Sequence, residues 1–142
     1  MMTTLKLEIV SPDRLVLSEE VEELQIPGKA GYLGILPGHV PLVTELAIGE
    51  MSYIKEGQSH YLSVAWGFCE VLSDRVTVLA EKAEKAEEVD LDRAEASRHR
   101  AEQRLSNLEV TEIDFDRATS SLKRAISRME VSRKTGRGHS SE

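Results

Sequence analysis

Up to Ala80 the apolar positions fall at every second place in short runs. Leu5, Leu7 and Ile9 alternate with Lys6 and Glu8, the period of a strand with one buried face. The run ends at Ser11-Pro-Asp, and Leu15 and Leu17 mark a second strand. A third spans Val21 to Ile26 and stops at the turn dipeptide Pro27-Gly28. Thr44 to Ile48 leads through Gly49 into Met51 to Lys55, and Glu56-Gly57 reads as the turn of a hairpin that returns over His60 to Val64. Two more strands, Gly67 to Leu72 and Arg75 to Ala80, join at Ser73-Asp74. Many short strands separated by turns predict an antiparallel sandwich or flattened barrel.

The texture changes at Glu81. Glycine and proline vanish until Gly136, and Ala, Glu, Arg and Leu dominate, as in a helical segment. Val89-Asp-Leu-Asp-Arg-Ala94 and Ile113-Asp-Phe-Asp-Arg-Ala118 repeat each other. Each offers an N-cap, Asp90 or Asp114, and a preceding aliphatic residue placed to staple onto the first turn. The pattern predicts an antiparallel two-helix hairpin. Its seam carries Leu91, Ala94, Arg98, Ala101, Leu105 and Leu108 on one helix, and Phe115, Ala118, Leu122, Ala125 and Met129 on the other. Burying Ala in place of Leu forfeits on the order of 1 kcal/mol per position. So poor a seam suits a hairpin that can open, although a static hairpin docked on the sandwich fits the same pattern. The expected units are a sandwich over 1–86, a hairpin over 87–133, and a tail over 134–142 with no apolar residue, expected to be disordered.

Charge sharpens this division. Residues 1–86 carry 7 Lys and Arg against 13 Asp and Glu, and residues 87–142 carry 11 against 12, so most of the net charge of -7 belongs to the sandwich. An acidic chain is a poor nucleic-acid binder. No apolar run approaches the roughly 20 residues that cross a bilayer, and Met1 to Leu7 lacks the flanks of a signal peptide, so a soluble, unexported chain is expected. The one cysteine, Cys69, sits in a strand pattern beside Phe68 and Val71 and reads as a buried thiol. Four scattered histidines give no metal spacing, and no nucleophile, base or phosphate-loop constellation is present. The chain does not read as an enzyme.

Between the third and fourth runs lies Gly31-Tyr-Leu-Gly-Ile-Leu-Pro-Gly-His-Val-Pro-Leu-Val-Thr-Glu-Leu46. Too much of it is apolar for an idle surface loop, so it is either packed under something or docked on a partner. This run resembles the signature of the epsilon subunits of F-type ATP synthases. The similarity continues over most of the chain, including Tyr61-Leu-Ser-Val-Ala-Trp-Gly-Phe-Cys-Glu-Val71 and Val76-Thr-Val-Leu-Ala80. Many relatives are acidic where this chain has Ala30 and Tyr32, which removes the groups a charge-based contact would use there.

The resemblance implies a sandwich of about ten strands and a non-catalytic rotor subunit of the central stalk, which couples proton translocation to ATP synthesis. Its implied partners are the gamma subunit, the c-ring and, when the hairpin extends, the catalytic alpha/beta head. The implied location is peripheral, on the cytoplasmic face of the cell membrane or on the thylakoid membrane, without insertion. Contact with the c-ring or gamma would involve Tyr32, Leu36, Pro37, Gly38, His39, Val40, Pro41 and Leu42. No cofactor is required. Val89-Asp90-Leu91-Asp92-Arg93-Ala94 is similar to an ATP-binding motif of several bacterial relatives. ATP as a regulatory ligand would use Asp90 and Arg93, with Glu84, Arg100, Arg124 and Arg128. Guanidinium groups suit phosphate, but a helix cap and ion pairs along the helices explain the same residues. Restraint of ATP hydrolysis would use Lys123, Arg124 and Arg128 against acidic segments. A free sugar- or peptide-binding module is the rival class, and the lack of signal-peptide features counts against it.

Overall fold

The computed structural model describes residues 3–107 and 111–140. Eight strands precede two helices: β1 (Leu5–Val10), β2 (Leu15–Val21), β3 (Glu23–Gly28), β4 (Gly31–Ile35), β5 (Leu42–Glu45), β6 (Gly49–Lys55), β7 (Gln58–Val71), β8 (Arg75–Lys85), α1 (Leu91–Leu105) and α2 (Glu112–Ser140). About ten strands were expected. Among the described residues there are eight, partly because β7 is continuous where two segments were expected. β8 also runs past the composition break at Glu81, since Lys82 to Lys85 still pair with Leu62 to Ala65 of β7.

The two long strands make the sandwich. The first half of β7 pairs with β6 and its second half with β5, while β8 follows it along both halves. One layer is therefore β2-β1-β8-β7-β5 and the other β8-β7-β6-β3-β4. The bend between them falls at Trp66 (φ 56°) and Gly67 (φ 123°). A Cβ on Gly67 would stand 1.9 Å from the Leu79 carbonyl oxygen, so no other residue fits. The layers close on one aliphatic core that includes Leu7, Ile9, Leu24, Ile26, Met51, Leu62, Val64, Val71, Val76 and Val78.

Two details depart from simple alternation. β1 pairs with β8 in parallel, so the sheet is not wholly antiparallel. In β2 the register slips opposite Ile9 and Val10, so Val16 and Leu17 are both buried and Leu15 faces out. This is a β-bulge.

A short 3-10 turn, Ala86–Glu88, leads into α1, whose Asp90 Oδ1 accepts the Arg93 N–H at 3.1 Å as expected of an N-cap. The second helix starts earlier than its sequence repeat suggests. Thr111 Oγ1 accepts the Asp114 N–H at 3.2 Å, so Thr111 and not Asp114 caps α2. A Thr three residues ahead of an acidic side chain satisfies the open N–H groups better than a cap inside the first turn. The helix then continues to Ser140, through most of the stretch expected as a disordered tail; residues 141–142 and the seam position Leu108 lie outside the described residues.

The hairpin seam is the small-residue one anticipated. Ala94 and Ala101 of α1 and Ala118, Ala125 and Met129 of α2 are buried, while Phe115, expected there, is exposed. Arg98 interrupts it: its Nε is buried with no hydrogen-bond partner among the described residues, and Glu102 is 3.7 Å away.

Candidate functional site

Helix α2 lies on the outer face of β6 and β7, with α1 packed against it. Where the hairpin meets β8 and the β1–β2 turn there is a cleft of about 390 Å³. Its walls carry Arg14 and Lys82 from the sandwich, Arg93, Ser97 and Arg100 from α1, and Arg124 and Arg128 from α2, with Glu84 at the sheet side. A narrower space of about 120 Å³ between the helices continues from it past Arg100, Arg104, Arg124 and Arg128.

Two bidentate ion pairs shape the cleft. Arg128 donates from Nε to Glu84 Oε1 at 2.7 Å and from Nη2 to Glu84 Oε2 at 3.3 Å, in a partly buried position. Arg14 donates through both terminal nitrogens to Glu88 at 3.0 Å. The hydrogen bond from Arg14 holds the Glu88 carboxyl below its ordinary 4.5. Arg100 donates to Ser97 Oγ at 3.1 Å, and the Arg93 and Arg124 guanidinium groups have no ion pair among the described residues.

Five of the six residues expected to meet a nucleotide thus converge: Glu84, Arg93, Arg100, Arg124 and Arg128. Asp90 does not line the cleft, and its carboxylate is used as the α1 cap. Arg14 and Lys82 were missed, because they reach the cleft only through strand pairing. Several guanidinium groups around one partly enclosed space can grip a polyphosphate by bidentate hydrogen bonds.

The apolar loop divides in two. Tyr32 sits at the start of β4, and its hydroxyl accepts the Glu50 N–H at 3.1 Å beneath α2. Leu36 to Pro41 lie beyond the other end of β4, where the Gly38 N–H donates to the Ser73 carbonyl at 2.8 Å. The Nδ1–H of His39 donates to the Val40 carbonyl at 2.7 Å, closing a turn. Leu36 and Val40 are exposed, and Leu42 is partly buried on the core.

Sequence reading did not anticipate a neighbouring stripe. Register aligns Phe68 with Leu79, Leu79 with Val10, and Val10 with Leu15. Phe68, Leu79 and Leu15 are exposed, as is Val43 next to them on β5. These side chains occupy the outer parity of strands whose inner parity fills the core, a signal visible in Val76-Thr-Val-Leu-Ala80 once both faces are considered. Of the proposed inhibitory contacts, Lys123 faces solvent, while Arg124 and Arg128 line the cleft.

Cys69 is buried, and burial pushes its thiol up to about 12, so it is no nucleophile. No helix among the described residues is long and apolar enough to cross a membrane.

Residues 4–86 match the ATP synthase, Delta/Epsilon chain, beta-sandwich domain, and residues 87–133 match its long alpha-helix domain. An ATP synthase epsilon chain of Koribacter versatilis is 60% identical over 105 residues, covering 74% of each chain. One of Citrifermentans bemidjiense is 47% identical over 133 residues, covering 94% of this chain and 96% of its own. In fold alone, the chain resembles one in the Euglena gracilis mitochondrial ATP synthase OSCP/F1/c-ring structure, with a TM-score of 0.79 at 22% identity over 92% of this chain and 81% of that one. The chain belongs to the ATP synthase delta/epsilon family, in which it is an epsilon-type, non-catalytic subunit.

Proposed function

We propose that the chain is a central-stalk rotor subunit that couples proton flow through the c-ring to ATP synthesis, and whose hairpin restrains ATP hydrolysis with ATP as its regulatory ligand. The carrying observation is the cleft in which arginines of both helices face the sandwich: a polyphosphate bound there bridges α1, α2 and β8 and favours the docked hairpin. In this reading the exposed Leu36–Val40 loop and the Phe68–Leu79–Leu15 stripe meet the c-ring and gamma. The subunit then works peripherally at the cytoplasmic face of the membrane. Restraint of hydrolysis requires α2 to leave the sandwich, since Arg124 and Arg128 are otherwise turned into the cleft.

Titration calorimetry of the full chain with ATP tests the ligand. Binding weakened about tenfold by Arg93→Ala or Arg124→Ala, with unchanged thermal unfolding of the sandwich, is expected from the loss of one charge-assisted phosphate contact. No heat at millimolar ATP would reduce the cluster to helix caps and ion pairs.

A further inference from the structure

Three polar contacts of helix α2 with the sheet lie on one cross-strand row. Register places Glu50 of β6 opposite Ser63 of β7, and Ser63 opposite Glu84 of β8. All three side chains meet α2. Glu84 takes Arg128, Ser63 Oγ lies 2.9 Å from Ser127 Oγ in a buried pair, and Glu50 takes Lys134.

The Glu50 end has the most elaborate surroundings. Lys134 Nζ lies 2.5 Å from Glu50 Oε1 and 2.7 Å from Oε2, with hydrogen-bond geometry to Oε2 only. The same ammonium sits 5.0 Å from the centre of the Tyr61 ring. Tyr32 holds the Glu50 backbone, and Gly49 leaves it room: a Cβ there would come within 2.9 Å of the Tyr32 hydroxyl oxygen. Yet Tyr32 remains 60% exposed. Its hydroxyl belongs to the docking site of α2, and much of its ring is open to a neighbour. A polar row is also the sort of contact that can part, because Glu50, Ser63 and Glu84 can be hydrated once α2 leaves, whereas an apolar face cannot.

We propose that Glu50, Lys134 and Tyr61 form the latch that keeps the hairpin docked, and that Tyr32, by accepting the Glu50 backbone N–H, holds the latch in position. Loss of that hydrogen bond loosens the Glu50 backbone and favours release of α2. The inference rests on the reading above in which the hairpin can leave the sandwich, but it needs no nucleotide.

Thiol labelling of the full chain tests it. Ser127→Cys places a near-isosteric thiol at the docked interface, and buried Cys69 stays silent. In that background Lys134→Met, which keeps the length and loses the charge, should raise the labelling rate about tenfold, as expected when one partner of a partly buried pair is removed. Tyr32→Phe should raise it about threefold, and should add nothing once Lys134→Met is present, because the two act through one contact. A Lys134→Met rate equal to the parent's would overturn the latch. Equal multiplication by Tyr32→Phe in both backgrounds would overturn the role of Tyr32. If ATP leaves the parent rate unchanged while Lys134→Met still raises it, the latch stands and the nucleotide reading fails. If ATP slows the parent while Lys134→Met has no effect, the nucleotide reading stands and the latch fails.

Discussion

The sandwich and the hairpin bury opposite kinds of surface. Between the two layers the fully buried side chains are Leu5, Leu7, Ile9, Leu24, Ile26 and their like. Between α1 and α2 the buried residues are mostly alanines, beside a partly exposed arginine, Arg98, whose buried Nε lacks a hydrogen-bond partner among the described residues. The first arrangement loses much by opening and the second little. One chain thus contains a unit built to keep its shape beside a unit built to be moved, and the polar row between them is neither.

The contrast is most exposed to failure at Leu7, which is fully buried between the layers. Leu7→Ala should cost about 2–5 kcal/mol in urea unfolding, whereas a change of the same kind on the hairpin, Leu105→Ala, should cost under about 1 kcal/mol. Similar losses at both positions would erase the distinction. A smaller effect is expected from cutting the chain after Ala86. Residues 1–86 should unfold cooperatively with a midpoint shifted by only a few degrees, because the core contains no hairpin residue. A broad, non-cooperative melt would make the helices part of that core.

The smallest effect concerns Glu88, which joins the turn before α1 to Arg14 of the sandwich. Its carboxyl is held below the ordinary value, so the folded chain binds its proton less readily than the unfolded one. The stabilisation is therefore present above pH 4.5 and is lost as the pH falls through the depressed value. Glu88→Gln should lower stability slightly at neutral pH and leave it unchanged below the depressed value, so that the acid limb becomes flatter. A variant with an acid limb as steep as the parent's would show that the pair is too solvated to matter.

What could be read in advance depended on range. Arg93 and Arg100 are separated by two turns, and Arg124 and Arg128 by one, so their shared faces follow from helix geometry alone. The strand β1 and the Glu56-Gly57 turn were equally local, and both turn residues have positive φ. By contrast, the partnership of Glu50, Ser63 and Glu84 depends on the register of three strands, and Arg14 reaches the cleft only because β1 lies beside β8. The bulge at Val16 and the two fates of the Tyr32 loop likewise arise from packing between segments far apart in sequence. Asp90 was legible both as cap and as ligand, and the cap is what its carboxylate does.

The bend at Trp66 and Gly67 has a mechanical consequence. Because β7 and β8 each pass from one layer to the other and pair in the same register on both sides of the bend, with only Trp66 and Glu81 left out of the ladder, the layers are joined by covalent backbone and hydrogen bonds as well as by side-chain contact. A twisting force applied to the Phe68–Leu79 face of one layer is carried along these strands to Ser63 and Glu84 in the other. The domain should respond to torque as one stiff body, with its compliance confined to the helices.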